Sequence, residues 1–217
     1  MKHQGELFAA LPLDTLMFEK TAYINGFTNV AGIDEAGRGP LAGPVMAAAV
    51  ILPAGLMIDG VDDSKKLTPD KRDKLFDIIM SQALSVGVGI SEPAEIDRIN
   101  ILQATRSAML NAVLQLSPPP DYLLIDGIST IDSTIPQKTI KKGDSLSLSI
   151  AAASIIAKVT RDRLMIEMDS KYPRYGFAGH KGYGSAAHLA AIKKLGPSPI
   201  HRLTFGGVKE YVDCSSS

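Results

Sequence analysis

The chain is expected to fold as an α/β layer sandwich, a mixed β-sheet flanked by helices. Three observations predict this. Strand-like and helix-like segments are interspersed: a pair of strand-like runs opens the pattern, another pair lies in the second half, and helices follow each. The 217 residues, 45% apolar and 21% charged, suit one hydrophobic core with at most a small appendage. No fixed-period repeat appears that would point to a solenoid.

The elements follow in order. Residues 1–29 read as an arm or lead-in helix. Ala31-Gly32-Ile33 and Val45 to Leu52 are apolar β-like runs joined by the turn-rich Gly37-Arg38-Gly39-Pro40. Thr68 and Pro69 supply an N-cap and a first-turn proline, and Leu75, Ile78 and Ile79 stripe the helix that follows. Ser85 to Ile90 reads as a strand weakened by glycines. Ile96, Ile99, Leu102, Leu110 and Val113 stripe a longer helix that stops before Pro118-Pro119-Pro120. Tyr122 to Ile125 is a short buried strand, and Gln137 to Lys142 an edge strand. An Ala-rich helix runs from Ser147 to about Met168, and its small residues predict close packing on the sheet. Ser185 caps a last helix ended by Gly196-Pro197. The domain reading is thus an arm (1–29), one domain (30–210) and a frayed tail (211–217).

Composition excludes some classes. No apolar run approaches the roughly 18 residues of a membrane span, and no secretory signal is visible. One cysteine, Cys214, rules out an internal disulfide framework or a multi-Cys zinc site, so a reducing cytoplasm is expected. No long apolar seam is left over, and a monomer is expected. The formal net charge of zero hides an asymmetry: residues 1–137 carry 10 basic and 17 acidic side chains, residues 138–217 carry 13 and 6. Such a split fits a polyanion-binding surface, and equally two solvated faces.

Four acids lie at element ends beside glycine. Asp34 and Glu35 end the first β-like run, Asp126 ends Leu123-Leu124-Ile125, and Asp144 precedes the Ala-rich helix. Singly, each fits an ordinary cap or turn. Together, on adjacent strands about 5 Å apart, they would repel one another unless a cation intervened. Hard oxygen donors favour Mg²⁺ or Mn²⁺, and two such ions about 4 Å apart suit phosphodiester hydrolysis. Successive strand residues face opposite ways. Either the chain bends at Asp34-Glu35, or only one of the two ligates directly.

The segments around these acids resemble one family. Gly32-Ile33-Asp34-Glu35-Ala36-Gly37-Arg38-Gly39-Pro40-Leu41-Ala42-Gly43-Pro44-Val45 is similar to the opening motif of ribonuclease HII. Asp62-Asp63-Ser64-Lys65-Lys66-Leu67, Leu124-Ile125-Asp126-Gly127, Lys142-Gly143-Asp144, Ile150 to Asp162 and His180-Lys181-Gly182-Tyr183-Gly184 resemble its later motifs, in order. The resemblance covers about residues 30–206. It implies an RNase H-like fold with a five-stranded mixed sheet and a C-terminal helical extension. It also implies a metal-dependent endonuclease that cuts RNA in RNA–DNA hybrids and nicks 5′ of single ribonucleotides in DNA, leaving 3′-hydroxyl and 5′-phosphate ends. It makes Asp34, Glu35, Asp126 and Asp144 the metal-binding catalytic carboxylates, and Gly37-Arg38-Gly39 the sensor of the ribonucleotide–deoxyribonucleotide junction. Tyr183 resembles the tyrosine that packs on the following deoxyribose. Ser185 and Thr204-Phe205-Gly206-Gly207 depart from the usual pattern without touching the proposed catalytic set.

Those roles make physical sense. RNA differs from DNA by its 2′-hydroxyl, and glycines beside Arg38 would let backbone groups approach it. Ser64, Lys65, Lys66 and Lys181 are candidate phosphate contacts, and Lys141, Lys142, Lys158 and Arg161 could extend the track. No histidine is obligatory in a two-metal site, so His180 is assigned at most a helper role at the substrate or leaving group. Gln4, Leu7 and Phe8 resemble the pattern by which bacterial repair proteins dock on the sliding clamp, although packing of Leu7 and Phe8 on the core is the simpler account. Three alternatives stay open: a ribonuclease HIII-type enzyme, a non-catalytic binder of hybrid duplexes, and a structure-specific DNA nuclease.

Overall fold

The computed structural model describes residues 14–61 and 64–212, without the Lys66 side chain. Gln4, Leu7, Phe8, Asp62, Asp63 and the tail from residue 213 therefore lie outside the described residues.

Alternation along the first strand sets the architecture. β1 (Val30–Ala36), β2 (Val45–Ile51) and β3 (Ser85–Ser91) form antiparallel neighbours, while β4 (Tyr122–Asp126) and β5 (Gln137–Ile140) run parallel to β1 on its other side. The order is β3-β2-β1-β4-β5, the five-stranded mixed sheet that was expected, with β5 at an edge. On one face Ala31, Ile33, Ala47, Ala49, Leu123 and Ile125 pack against Ala104, Ala108 and Ala112 of α3 (Pro93–Val113). On the other, Ala48 and Val50 meet Leu75 and Ile79 of α2 (Pro69–Gln82) and Ala152, Ile155 and Ile156 of α4 (Leu148–Lys171). β2 is buried along its whole length, as its unbroken apolar run requires of a strand covered on both faces.

α4 lies very close to the sheet. A Cβ at Gly32 would stand 2.1 Å from the carbonyl carbon of Ser149, so only glycine admits this approach. Ser147 caps α4 by accepting from the Ile150 amide. The lead-in helix α1 (Met17–Ile24) braces the same end. Buried Glu19 accepts from Ser147 Oγ (2.6 Å), Ser149 Oγ (2.6 Å) and the Ser149 amide (3.1 Å). This anion sits where a helix N-terminus is positive. Beyond α4 come the short α5 (Phe177–His180), which periodicity did not reveal, and α6 (Ala186–Leu195), capped by Ser185 as expected.

Some expectations need correction. Ile78 and Leu102, assigned to apolar stripes, are 38% and 41% exposed. α3 breaks at Asn100, where φ is +68° and the side-chain carbonyl accepts from the Leu102 and Gln103 amides, restarting the helix. β5 stops at Ile140, because Lys141-Lys142 turn into a 3₁₀ segment over Gly143–Ser145. Among the described residues no helix is long and apolar enough to cross a membrane.

Candidate active site

Register brings the acids together. Ile33 pairs with Ile125, so the next residues on the two parallel strands, Asp34 and Asp126, leave the sheet side by side. Both follow residues of the α4-facing set, Gly32 and Leu124, at the alternate position. The 3₁₀ segment brings Asp144 to the same spot, and the Gly143 amide donates to Asp126 Oδ1 at 2.6 Å. Carboxylate oxygens of Asp34, Asp126 and Asp144 all lie within 4.8 Å of one another. Asp34 and Asp144 are buried, and Asp126 is half-buried.

Glu35 is outside this trio. β1 continues through Ala36, so alternation turns Glu35 to the opposite face from Asp34. Its Oε1 lies 3.2 Å from Arg38 Nη1. Burial raises the Glu35 carboxyl pKa, opposed by Arg38 and reinforced by the charge of Asp126. Glu35 therefore feels the site from its rim.

The trio is electrostatically costly by itself. Burial, then the charges of Glu35 and Asp126, push Asp34 well above the usual carboxylate range. Hydrogen bonds from Ser154 and the Glu35 amide (2.7 Å) oppose that rise without cancelling it. Lys65, 75% exposed, reaches Asp144 Oδ2 only at 3.5 Å. Three converging carboxylates, two of them buried, form a donor set that fits a hard divalent cation.

The glycine-rich turn lies beside these acids. Gly37 has φ +93°, and a Cβ there would stand 2.0 Å from Arg161 Nε, so both conformation and space exclude a side chain. Tyr183, 47% exposed, comes within 3.8 Å of where a Gly39 Cβ would be. The structure thus brings the Gly39 end of the turn to Tyr183.

Other candidates are placed differently. Ser64 is buried and shares a 2.8 Å hydrogen bond with Ser154, so it braces Asp34 from behind and does not face a phosphate. Arg161 is buried with all three guanidinium nitrogens on backbone carbonyls, which removes it from the phosphate track. Lys158 pairs with Asp162 at 2.7 Å along α4. Lys181 Nζ bonds the Ala178 carbonyl. Lys141 and Lys142 are exposed at the turn before Asp144. His180 has Nε2 at 2.8 Å from the Tyr175 carbonyl and accepts at Nδ1 from the Gly182 amide, so neither nitrogen is left for a leaving group.

Sequence reasoning missed Arg202 altogether and, for His188 and His201, missed their structural role. Arg202, fully buried, donates to the Gly37, Arg38 and Gly43 carbonyls. Buried His201 accepts at Nδ1 from the Ser198 amide (2.8 Å) and meets His188 Nε2 at 3.0 Å, and His188 Nδ1 reaches the Tyr183 carbonyl at 2.9 Å. One set of neutral tautomers satisfies that chain. Burial, with His188 nearby, lowers His201 to about 4. His201 and Arg202 lie outside the helices and strands and carry no periodic signal, and His188 is a polar residue on α6, so only burial reveals these supports.

Comparison with known proteins agrees with this geometry. The family model described as Ribonuclease HII matches residues 31–208. A curated relative from Pelobacter propionicus, Ribonuclease HII, is 66% identical over 99% of this chain and 98% of its own length. Among solved structures, ribonuclease H2 from Pyrococcus horikoshii OT3 aligns with a TM-score of 0.72 at 29% identity, covering 85% of this chain and 97% of that one. The PCNA:RNase HII complex from Archaeoglobus fulgidus contains a chain with a TM-score of 0.70 and 25% identity, covering 82% and 96%.

Proposed function

The chain belongs to the ribonuclease HII family of nucleases, and on that footing we propose a divalent-metal-dependent endoribonuclease. It cuts the RNA strand of RNA–DNA hybrids and nicks duplex DNA 5′ of a single embedded ribonucleotide, leaving 3′-hydroxyl and 5′-phosphate ends. The observation that carries this reading is the convergence of Asp34, Asp126 and Asp144 within 4.8 Å, next to the Gly37-Arg38-Gly39 turn.

Asp34, Asp126 and Asp144 would hold the ions, with Glu35 at the rim. Mg²⁺ or Mn²⁺ bound there supplies water activation and neutralises charge at the leaving oxygen. The chain's own residues select and hold the substrate. Backbone groups of the Gly37 turn meet the ribose 2′-hydroxyl, and the Tyr183 ring packs where a deoxyribose follows. Arg38 offsets the charge of Glu35. Lys65 and Lys181 reach phosphates on either side, which positions the duplex without reading its sequence.

One gel tests this. A DNA duplex with one ribonucleotide is incubated with and without Mg²⁺ or Mn²⁺, and the ends are mapped. Metal-dependent nicking on the 5′ side is expected. Asp126→Asn should abolish it while duplex binding persists, and full activity of that variant would refute the assignment. A ribonuclease HIII-type enzyme would cut this substrate poorly. We also propose a sliding-clamp partner for Gln4, Leu7 and Phe8. Clamp pull-down unchanged by Leu7→Ala with Phe8→Ala would exclude it.

A further inference from the structure

Two cations are buried beneath the recognition turn, and the proposed chemistry uses neither. Arg161 and Arg202 are 1% and 0% exposed, and among the described residues no carboxylate bonds to either. A buried guanidinium is tolerable only if its donors are satisfied. Here backbone carbonyls do this. Arg202 donates from Nε to Gly43 (3.0 Å), from Nη1 to Arg38 (2.8 Å), and from Nη2 to Gly37. Arg161 donates from Nε to Pro44 (3.0 Å), from Nη2 to Ala42 (3.1 Å), and from Nη1 to Lys181 (3.0 Å).

These bonds have a directional consequence. A trans peptide is planar, with its carbonyl and the following N–H pointing opposite ways. Carbonyls of Gly37 and Arg38 turned in toward Arg202 therefore turn the N–H groups of Arg38 and Gly39 outward. Arg161 adds a cross-tie, because Lys181 belongs to the segment that carries Tyr183. The Leu41 amide donates to the Gly182 carbonyl at 2.8 Å, closing the same joint.

We propose that Arg161 and Arg202 are positioning residues for ribonucleotide recognition. As a buried pair they aim the Arg38 and Gly39 amides at the substrate and hold that turn at a set distance from Tyr183. The inference rests on the junction-reading function proposed above and names what sets its specificity. Lysine cannot replace either residue, because one ammonium cannot span three carbonyls held in a planar fork.

The experiment compares two substrates on wild-type, Arg161→Lys and Arg202→Lys proteins. One is a DNA duplex with a single ribonucleotide, and the other a continuous RNA–DNA hybrid. The ratio of their cleavage rates is the readout, with circular dichroism to confirm folding. In either variant cleavage at the single ribonucleotide should fall on the order of 10- to 100-fold, the loss expected of a small misplacement, while hybrid cleavage, which does not need the Tyr183 contact, falls less, so that the ratio drops. Amide exchange in peptides covering 36–44 and 180–186 should quicken in both segments. A ratio left at the wild-type value, or both rates lowered in parallel, would overturn the proposal, as would failure of both variants to fold. Wild-type protein that cuts neither substrate would instead overturn the function on which it rests.

Discussion

Asp34 shows at the scale of one residue what the site costs. Its carboxyl is held well above the usual range by burial and by neighbouring acids, so ionising it opposes folding when no cation is bound. The sign follows from linkage: an acid with a raised folded pKa destabilises the fold above its unfolded pKa, and that penalty fades as pH falls from the raised value to the unfolded one. Asp34→Asn should therefore stabilise the chelator-treated protein by about 1 kcal/mol in urea unfolding while eliminating cleavage. Added Mn²⁺ should raise the melting temperature of the wild type and not that of the variant, since the proposed metal site needs all three carboxylates. Asp34 and Glu35 also settle a question that adjacency alone leaves open. β1 and its pairing with β2 run on through both residues, so alternation sends one into the cluster and the other to its rim.

Between elements, the contact of β1 with α4 matters most, because it holds Asp144 near Asp34. Gly32→Ala would drive a methyl into the Ser149 backbone, and overpacking of this kind costs about 1–3 kcal/mol. The urea midpoint should fall, and cleavage should fall with it as α4 shifts. α1 contributes from outside the matched residues 31–208. Glu19→Ala removes a buried acceptor for three donors at the start of α4. Leaving a buried donor unsatisfied costs about 1–3 kcal/mol, so a loss of at least that size is expected in the same assay. The break at Asn100 belongs to this scale too. An apolar stripe can continue through a residue whose backbone does not, so the spacing of Ile96 and Leu110 hides the interruption.

Across the whole molecule, the histidine chain ties stability to pH. His201 is held near 4 by burial and by His188, and His188 is lowered by its own burial. His180 stacks on His188 at 4.3 Å, and Tyr175 and Phe177 close the cluster. A histidine whose folded pKa lies below its unfolded value takes up its proton on unfolding, so stability falls as pH drops from about 6.5 to about 4. His201 alone accounts for about 3 kcal/mol over that window. Urea midpoints measured across it should fall less steeply in His201→Asn than in the wild type. Charge is also distributed unevenly over the molecule, with the basic excess in residues 138–217. Duplex affinity should drop with salt as phosphate contacts are screened, which a binding titration at several salt concentrations would read directly.

Linear order was enough to recover the family, the five-strand α/β plan and the acids at strand ends, because periodicity, caps and contiguous motifs are local properties. Gly32-Ile33-Asp34-Glu35 and Lys142-Gly143-Asp144 could be read without coordinates for that reason. Folding alone settled which acids meet, which candidates are buried and what braces the recognition turn. Ser64 and Arg161 look like phosphate contacts in one dimension and turn out to be internal supports, and Arg202 lies 159 to 165 residues from the carbonyls it holds. Burial and long-range hydrogen bonding arise only when distant stretches pack, so no window along the chain can contain them.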